Sequence, residues 1–87
     1  MIIIEKMIEM RGMRRSEIIN YFISINGENV GFGKFKGQNW EVKVSEESLM
    51  TIGSLEIPST KVLFCGEKEL LEQMITAFRL KFLSAGG

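Results

Sequence analysis

The fold is decided by one stretch near the end of the chain, residues 67–83, which reads EKELLEQMITAFRLKFL. Its apolar residues recur at the spacing of a helix with one apolar face: Leu71, Met74, Ile75, Phe78 and Phe82. Glutamates stand early in the stretch, and Arg79 and Lys81 stand late, which is the order that the helix dipole favours. The stretch therefore predicts a long helix that buries one face.

A second, shorter helix is predicted to begin after Ser16. The Ser16 side chain fits an N-cap, and Glu17 places a negative charge in the first turn. Apolar residues then recur at helical spacing at Ile18, Ile19, Phe22 and Ile23.

The other segments alternate apolar and polar residues, a pattern that is typical of strands. It predicts five of them: Ile2–Met10, Val30–Phe35, Trp40–Val44, Leu49–Ile57 with a bulge at Gly53, and Thr60–Cys65 after a break at Pro58. The last four are joined by short connections, so we expect them to form an antiparallel meander.

The predicted order is β-α-β-β-β-β-α, which makes the chain an α+β domain. We expect a curved antiparallel sheet with both helices on one face, because only that arrangement builds a core. This order is similar to the TATA-binding-protein-like or helix-grip type of fold. No linker divides the 87 residues, so they predict a single domain at 1–83 and a flexible tail at 84–87.

The composition excludes most side-chain catalysis. The chain has no His and no Asp, so its 11 acidic residues are all Glu. Catalytic triads, Cys–His pairs, His-based zinc sites and Asp-based calcium loops are therefore absent. The single Cys65 cannot form a disulfide within the chain. We expect a protein that is not an enzyme and holds no cofactor or metal.

Charge and hydropathy bear on location and partners. The apolar runs are too short to span a bilayer, and the first of them is followed at once by Glu5 and Lys6. We therefore expect a cytoplasmic protein with no membrane partner. The 11 basic and 11 acidic residues give zero net charge, which disfavours nucleic acid as a partner.

The sequence ends in Ser84-Ala85-Gly86-Gly87. A diglycine end has no side chains, so it can thread a narrow enzyme channel with its carboxylate leading. An activating enzyme can adenylate that carboxylate. Sulfide or a thiol can then attack the acyl-adenylate and release AMP, which gives a thiocarboxylate or a thioester. The alternative is an ordinary frayed terminus, in which small residues are common.

Residues 78–87, FRLKFLSAGG, resemble the end of a small domain associated with the molybdopterin-synthase sulfur-carrier family of archaea and thermophilic bacteria. The resemblance covers essentially the whole chain and implies the element order given above. The sulfur carriers themselves are β-grasp proteins whose diglycine follows a strand, whereas here it follows a predicted helix. Their last glycine carries a thiocarboxylate, a role that the resemblance would give to Gly87.

The resemblance implies a small non-catalytic accessory or carrier-like protein linked to molybdopterin biosynthesis. Its partner would be an activating enzyme or another cofactor-synthesis protein, and its working residues would be Gly86 and Gly87. The alternative from the residues themselves is a homodimeric interaction module. Exposed Met and Ile near the first strand would then mark the dimer surface, by edge-to-edge strand pairing or by helix packing.

Two basic groups suggest further contacts. Arg11, Arg14 and Arg15 could bind an anion or an acidic partner, or they could be balanced by nearby glutamates in a solvated turn. Lys34 and Lys36 belong to an aromatic and basic set that could bind single-stranded nucleic acid on a sheet face: Phe32, Lys34, Phe35, Lys36, Trp40 and Lys43. Nucleic-acid binding is thus a second alternative function, and glutamates in the same region argue against it.

Two other features have simpler interpretations. Cys65 precedes a helix, where a thiol can be reactive, but a free Cys is more often part of the core. The glycines at 31, 33 and 37 miss the dinucleotide-binding spacing by one residue, and a strand and hairpin are favoured there.

Overall fold

The structure, a computed structural model, describes the chain from residue 2 to residue 86, with the side chains of residues 2–82. Within that range the chain forms six strands and two helices: β1 Ile3–Arg11, α1 Arg15–Ser24, β2 Glu28–Gly31, β3 Lys34–Gly37, β4 Trp40–Val44, β5 Ser48–Ile52, β6 Leu55–Glu67 and α2 Lys68–Gly86. All strand pairs are antiparallel. The predicted α+β class, with an antiparallel sheet and two helices, is confirmed.

The sheet is organised around β6, which has 13 residues. The strand order is β1-β6-β4-β3-β2, and β5 pairs separately with β6. On one edge of β6, β1 pairs with Ser59–Glu67. On the other edge, β4 pairs with Val62–Gly66 and β5 pairs with Leu55–Ser59. Three strands therefore depend on β6 for their place in the sheet.

The predicted number of five strands is wrong, because two predicted strands are hairpins. The segment Val30–Phe35 turns at residues 32 and 33, and Leu49–Ile57 turns at residues 53 and 54. Gly33 has a φ of +67° and Gly53 a φ of +61°. Two-residue hairpin loops need such left-handed backbone, which glycine adopts at little cost.

The predicted break at Pro58 is also wrong, since Pro58 lies inside β6. Proline is tolerated there because it stands just beyond the last residue pair of β1 and β6, where its missing N–H is not needed by β1. Its carbonyl accepts a hydrogen bond from the Gly12 N–H at 2.8 Å. The predicted four-stranded meander is realised only in part. β2, β3 and β4 are paired in chain order, but the next neighbour of β4 in the sheet is β6 and not β5.

The core lies between one face of the sheet and the two helices. Alternate strand residues face the helices, as the period of two predicted. The buried apolar side chains are Ile8, Phe35, Val42, Val44, Val62 and Phe64 from the sheet, Ile18 and Phe22 from α1, and Leu71, Ile75, Phe78 and Phe82 from α2. Both helices thus cover the same face of the sheet, as predicted.

Phe22 of α1 is the centre of this core. Its ring lies 5.9 Å from that of Phe35 on β3, 5.8 Å from Phe64 on β6 and 5.6 Å from Phe78 on α2, measured between ring centroids. Trp40 of β4 lies at 6.3 Å. One side chain therefore touches three strands and the other helix.

Replacing this central ring should cost a large part of the stability of the domain. We expect Phe22→Ala to lower the free energy of unfolding by about 3–5 kcal/mol, because it removes a fully buried ring and leaves a cavity. A domain of this length has only about 4–13 kcal/mol in total. Urea unfolding followed by circular dichroism measures the loss.

Phe32→Ala is the matched control, since the Phe32 side chain in the β2–β3 turn is 95% exposed. We expect it to change the free energy of unfolding by no more than about 0.5 kcal/mol. Equal losses in the two variants would contradict the central place of Phe22.

Candidate functional site

The helix that leads to the diglycine is fixed at its start by Glu67. The two oxygens of the Glu67 carboxylate accept hydrogen bonds from the backbone N–H of Glu69 at 3.2 Å and of Leu70 at 2.9 Å. These donors belong to the first turn of α2, whose N–H groups have no partner within the helix. The predicted role of Glu67 at the positive end of the helix dipole is therefore realised as a cap.

The far end of α2 carries the residues predicted to act as a carrier tail. The helix is held to the core through Phe78 and Phe82, the latter 8% exposed. It continues to Gly86, three residues beyond the Leu83 at which the sequence pattern ended it. Gly87 lies outside the described residues, so a free tail at 84–87 stays a prediction.

Loss of the cap should weaken the attachment of α2. We expect Glu67→Ala to lower the free energy of unfolding by about 1 kcal/mol, since two N–H groups lose their acceptor. Glu69→Ala, in the same turn, is the control and should cost about 0.5 kcal/mol through the dipole alone. Thermal unfolding of the two variants compares them, and identical losses would mean that the charge matters and the hydrogen bonds do not.

The three arginines are engaged within the chain. The Arg11 Nε lies 2.7 Å from a Glu9 carboxylate oxygen, and the hydrogen bond that it donates holds the pKa of Glu9 below its ordinary value. An Arg14 guanidinium nitrogen lies 3.7 Å from the Glu47 carboxylate. The Arg15 Nε donates to the Ser45 carbonyl at 2.9 Å. Two of the three arginines thus have a glutamate partner and the third has a backbone carbonyl, and contact of this cluster with an anion or an acidic partner stays a prediction.

Glu47 also fixes the start of α1. Its carboxylate accepts from the Arg15 backbone N–H at 2.9 Å. The helix begins at Arg15 with Arg14 at the N-cap, so the predicted N-cap at Ser16 is wrong. The acceptor comes from the loop between β4 and β5 and not from a nearby serine. A local sequence pattern cannot predict such a contact.

Lys34 and Lys36 lie on the face of the sheet away from the helices, which we call the open face. Across the strands, Lys34 stands opposite Lys43 and Lys36 stands opposite Glu41. Glu28 of β2 stands on the far side of Lys36. The two lysines therefore share their face with carboxylates, in a different part of the fold from the arginines at the start of α1.

Cys65 is on the open face too, half-buried and not in the core. Its neighbours across the strands are Glu5 on β1 and Glu41 on β4. With Lys34, Lys43 and Leu63, these three residues line a shallow depression of about 240 Å³. Charges of both signs around one thiol give the depression no net attraction for an anion.

The aromatic residues of the predicted nucleic-acid face are not on this surface. Phe35 is fully buried and Trp40 is half-buried, both on the helix-covered side. Phe32 is exposed, in the turn between β2 and β3. The bases of a single strand could not stack on Phe35 and Trp40 while its phosphates met Lys34 and Lys36.

A further exposed feature was not apparent from the sequence. β5 and the first residues of β6, residues 48–58, form a two-stranded ribbon that pairs with no other strand before Ser59. We call it the arm. Leu49, Ile52 and Leu55 in it are 65%, 50% and 64% exposed. In the sequence this turn is marked by Gly53, for which the pattern predicts a bulge, and that prediction is wrong.

Residues 2–86 thus define a small α+β protein with no group of three metal-ligating side chains among them and no helix long and apolar enough to cross a membrane. The chain belongs to the family described as archaeal MoaD-like protein, whose model matches residues 6–87. A comparison with curated proteins found no match to the sequence.

Proposed function

We propose that the chain is a non-catalytic, sulfur-carrier-like protein linked to molybdopterin biosynthesis, which acts through the carboxylate of Gly87. The observation that carries this proposal is the extent of the family match. It runs over residues 6–87 and so includes both Gly86 and Gly87. A partner enzyme supplies the catalysis, and this chain supplies the group that is activated.

The chemistry asks little of the chain itself. A Gly87 carboxylate oxygen attacks the α-phosphorus of ATP, and pyrophosphate leaves. Sulfide then attacks the acyl carbon of the adenylate, and AMP leaves, so that a C–S bond replaces a C–O bond. No side chain of this protein is needed as base or nucleophile, which accords with a chain that has no His and no Asp.

The anchoring of α2 supports such a role. Phe82 is buried, and five residues of the chain follow it. Five residues span about 8 Å as helix and up to about 17 Å when extended. Opening the last turn is cheap, because its carbonyls have no partners within the helix and a glycine disfavours helix by about 1 kcal/mol. The core is left intact.

The proposal predicts a covalent change at Gly87. After incubation of the full chain with an adenylating enzyme of the sulfur-carrier type, ATP and sulfide, intact mass spectrometry should show one oxygen replaced by sulfur. Fragmentation should place the sulfur on the last residue. We expect Gly87→Ala to reduce the yield by at least about tenfold, because a Cβ enters a channel that fits glycine.

Ala85→Gly is the matched control, since it changes a neighbouring residue and leaves the diglycine in place. It should be converted as well as the natural sequence. An unmodified natural chain, or a chain lacking Gly87 that is converted as fully as the natural one, would refute the carrier role.

A further inference from the structure

The sheet has several free strand edges among the described residues, and most of them are protected against pairing with another chain. The outer edge of β1 carries Glu5, Lys6, Glu9 and Arg11. Lys6 is exposed, and in the alternation it stands on the same side of β1 as Ile4 and Ile8, which is the side that the helices cover. A charge on the core side of an edge strand is an obstacle to edge-to-edge pairing, because an added strand would bring its own apolar side chains against that charge.

The edge at β2 is protected in another way. β2 has four residues, and its register with β3 shifts between Asn29 and Gly31. The Asn29 side chain accepts a hydrogen bond from the Gly31 N–H at 3.1 Å, which occupies a backbone donor. Short, bulged strands are poor templates for an added strand.

The arm has two edges, and they differ. The edge formed by the start of β6 carries the charge of Glu56 and the proline at 58, which lacks an N–H. The edge formed by β5 reads Ser48-Leu49-Met50-Thr51-Ile52, with no charge and no proline. Its register with β6 is unbroken over all five residues.

The β5 edge is therefore open to a further strand. In an antiparallel pair, about half of the N–H and C=O groups of each strand point away from the partner. Four of the five β5 side chains are exposed, and only Met50 is half-buried. A two-stranded ribbon with apolar side chains is marginal in water by itself, and further strands would stabilise it.

We propose that β5 pairs antiparallel with β5 of a second copy of this chain, about a two-fold axis. The occupant is a second copy because the edge is complementary to itself: antiparallel pairing of two SLMTI strands sets no charge against another charge. The only charged residue of the arm, Glu56, lies one strand further out in each copy. Three strand spacings, about 14 Å, then separate the two Glu56 residues, which is beyond the screening length in physiological salt.

The same pairing gathers the apolar side chains of the arm. Met50 and Ile52 of β5 stand opposite Ile57 and Leu55 of β6, on one face of the ribbon. In a dimer the two arms would form a four-stranded ribbon, and these four apolar side chains of one copy would lie next to those of the other copy. Pairing over five residues buries less than the roughly 1,200 Å² of a standard interface, so we expect a dissociation constant in the micromolar range.

Sedimentation velocity over a concentration series tests the proposal. The natural chain should pass from monomer to dimer with rising concentration. Leu49→Lys, which sets a positive charge on the β5 edge of both copies, should raise the dissociation constant at least about tenfold, since Leu49 stands opposite Pro58 and not opposite a carboxylate in its own arm. Val30→Lys on the protected β2 edge is the matched control and should leave the dissociation constant unchanged. Circular dichroism of both variants verifies that they fold.

Hydrogen exchange of the natural chain gives a second measurement that needs no variant. Amides in residues 48–52 should gain protection as concentration rises, and amides in β1 should not. A chain that stays monomeric at millimolar concentration, or a dimer whose protection maps to β1 or to the helices, would overturn the proposal. A dimer that Leu49→Lys leaves unchanged would do so as well.

Discussion

The packing of Phe22 holds the fold together. Its ring contacts Phe35, Phe64 and Phe78, which lie on β3, β6 and α2. Aromatic pairs at these separations add about 0.5–1.5 kcal/mol each to the area that they bury. A small domain has little core to spare, so one residue with contacts on four other elements decides whether the helices stay on the sheet.

β6 extends that dependence to the rest of the chain. Residues 59–67 of this strand pair with β1, and residues 62–66 pair with β4 as well. Their alternate side chains supply Val62 and Phe64 to the core. Residues 55–58 continue in the same direction without a core beneath them. One strand therefore belongs to two environments, the central sheet and the exposed arm. Its core-facing apolar side chains are buried in the central sheet, whereas Leu55 in the arm is exposed.

The sequence predicted the parts in which local pattern and tertiary burial agree. The stripe on α2 and the alternation in β1 and β4 identified most of the buried side chains, because a single buried face imposes one period. Lys6 interrupts the alternation in β1, and its meaning came only from the topology, which makes β1 an edge. Strand partners depend on distant contacts, so the place of β4 beside β6 could not follow from loop length.

The candidate site was predictable to a similar extent. The diglycine is visible in the sequence, and so is the family resemblance. The partner of Arg14 and Arg15 was not predictable, because both contact Glu47. Glu47 lies 32 residues after Arg15 along the chain. The predicted bulge at Gly53 is wrong because a glycine within an apolar run is typical of both a bulge and a hairpin turn, and only the strand pairing distinguishes them.

The aromatic cluster also determines what light can report about this protein. The chain has one tryptophan and one tyrosine. Both rings lie against Phe22, Trp40 at 6.3 Å and Tyr21 at 5.3 Å between centroids. Intrinsic fluorescence therefore reports the packing of α1 against the sheet and against α2, since the Tyr21 ring also lies 5.3 Å from that of Phe78. The arm has no Trp or Tyr, so it does not contribute to this fluorescence. A dye attached at position 54 would therefore report on the arm separately.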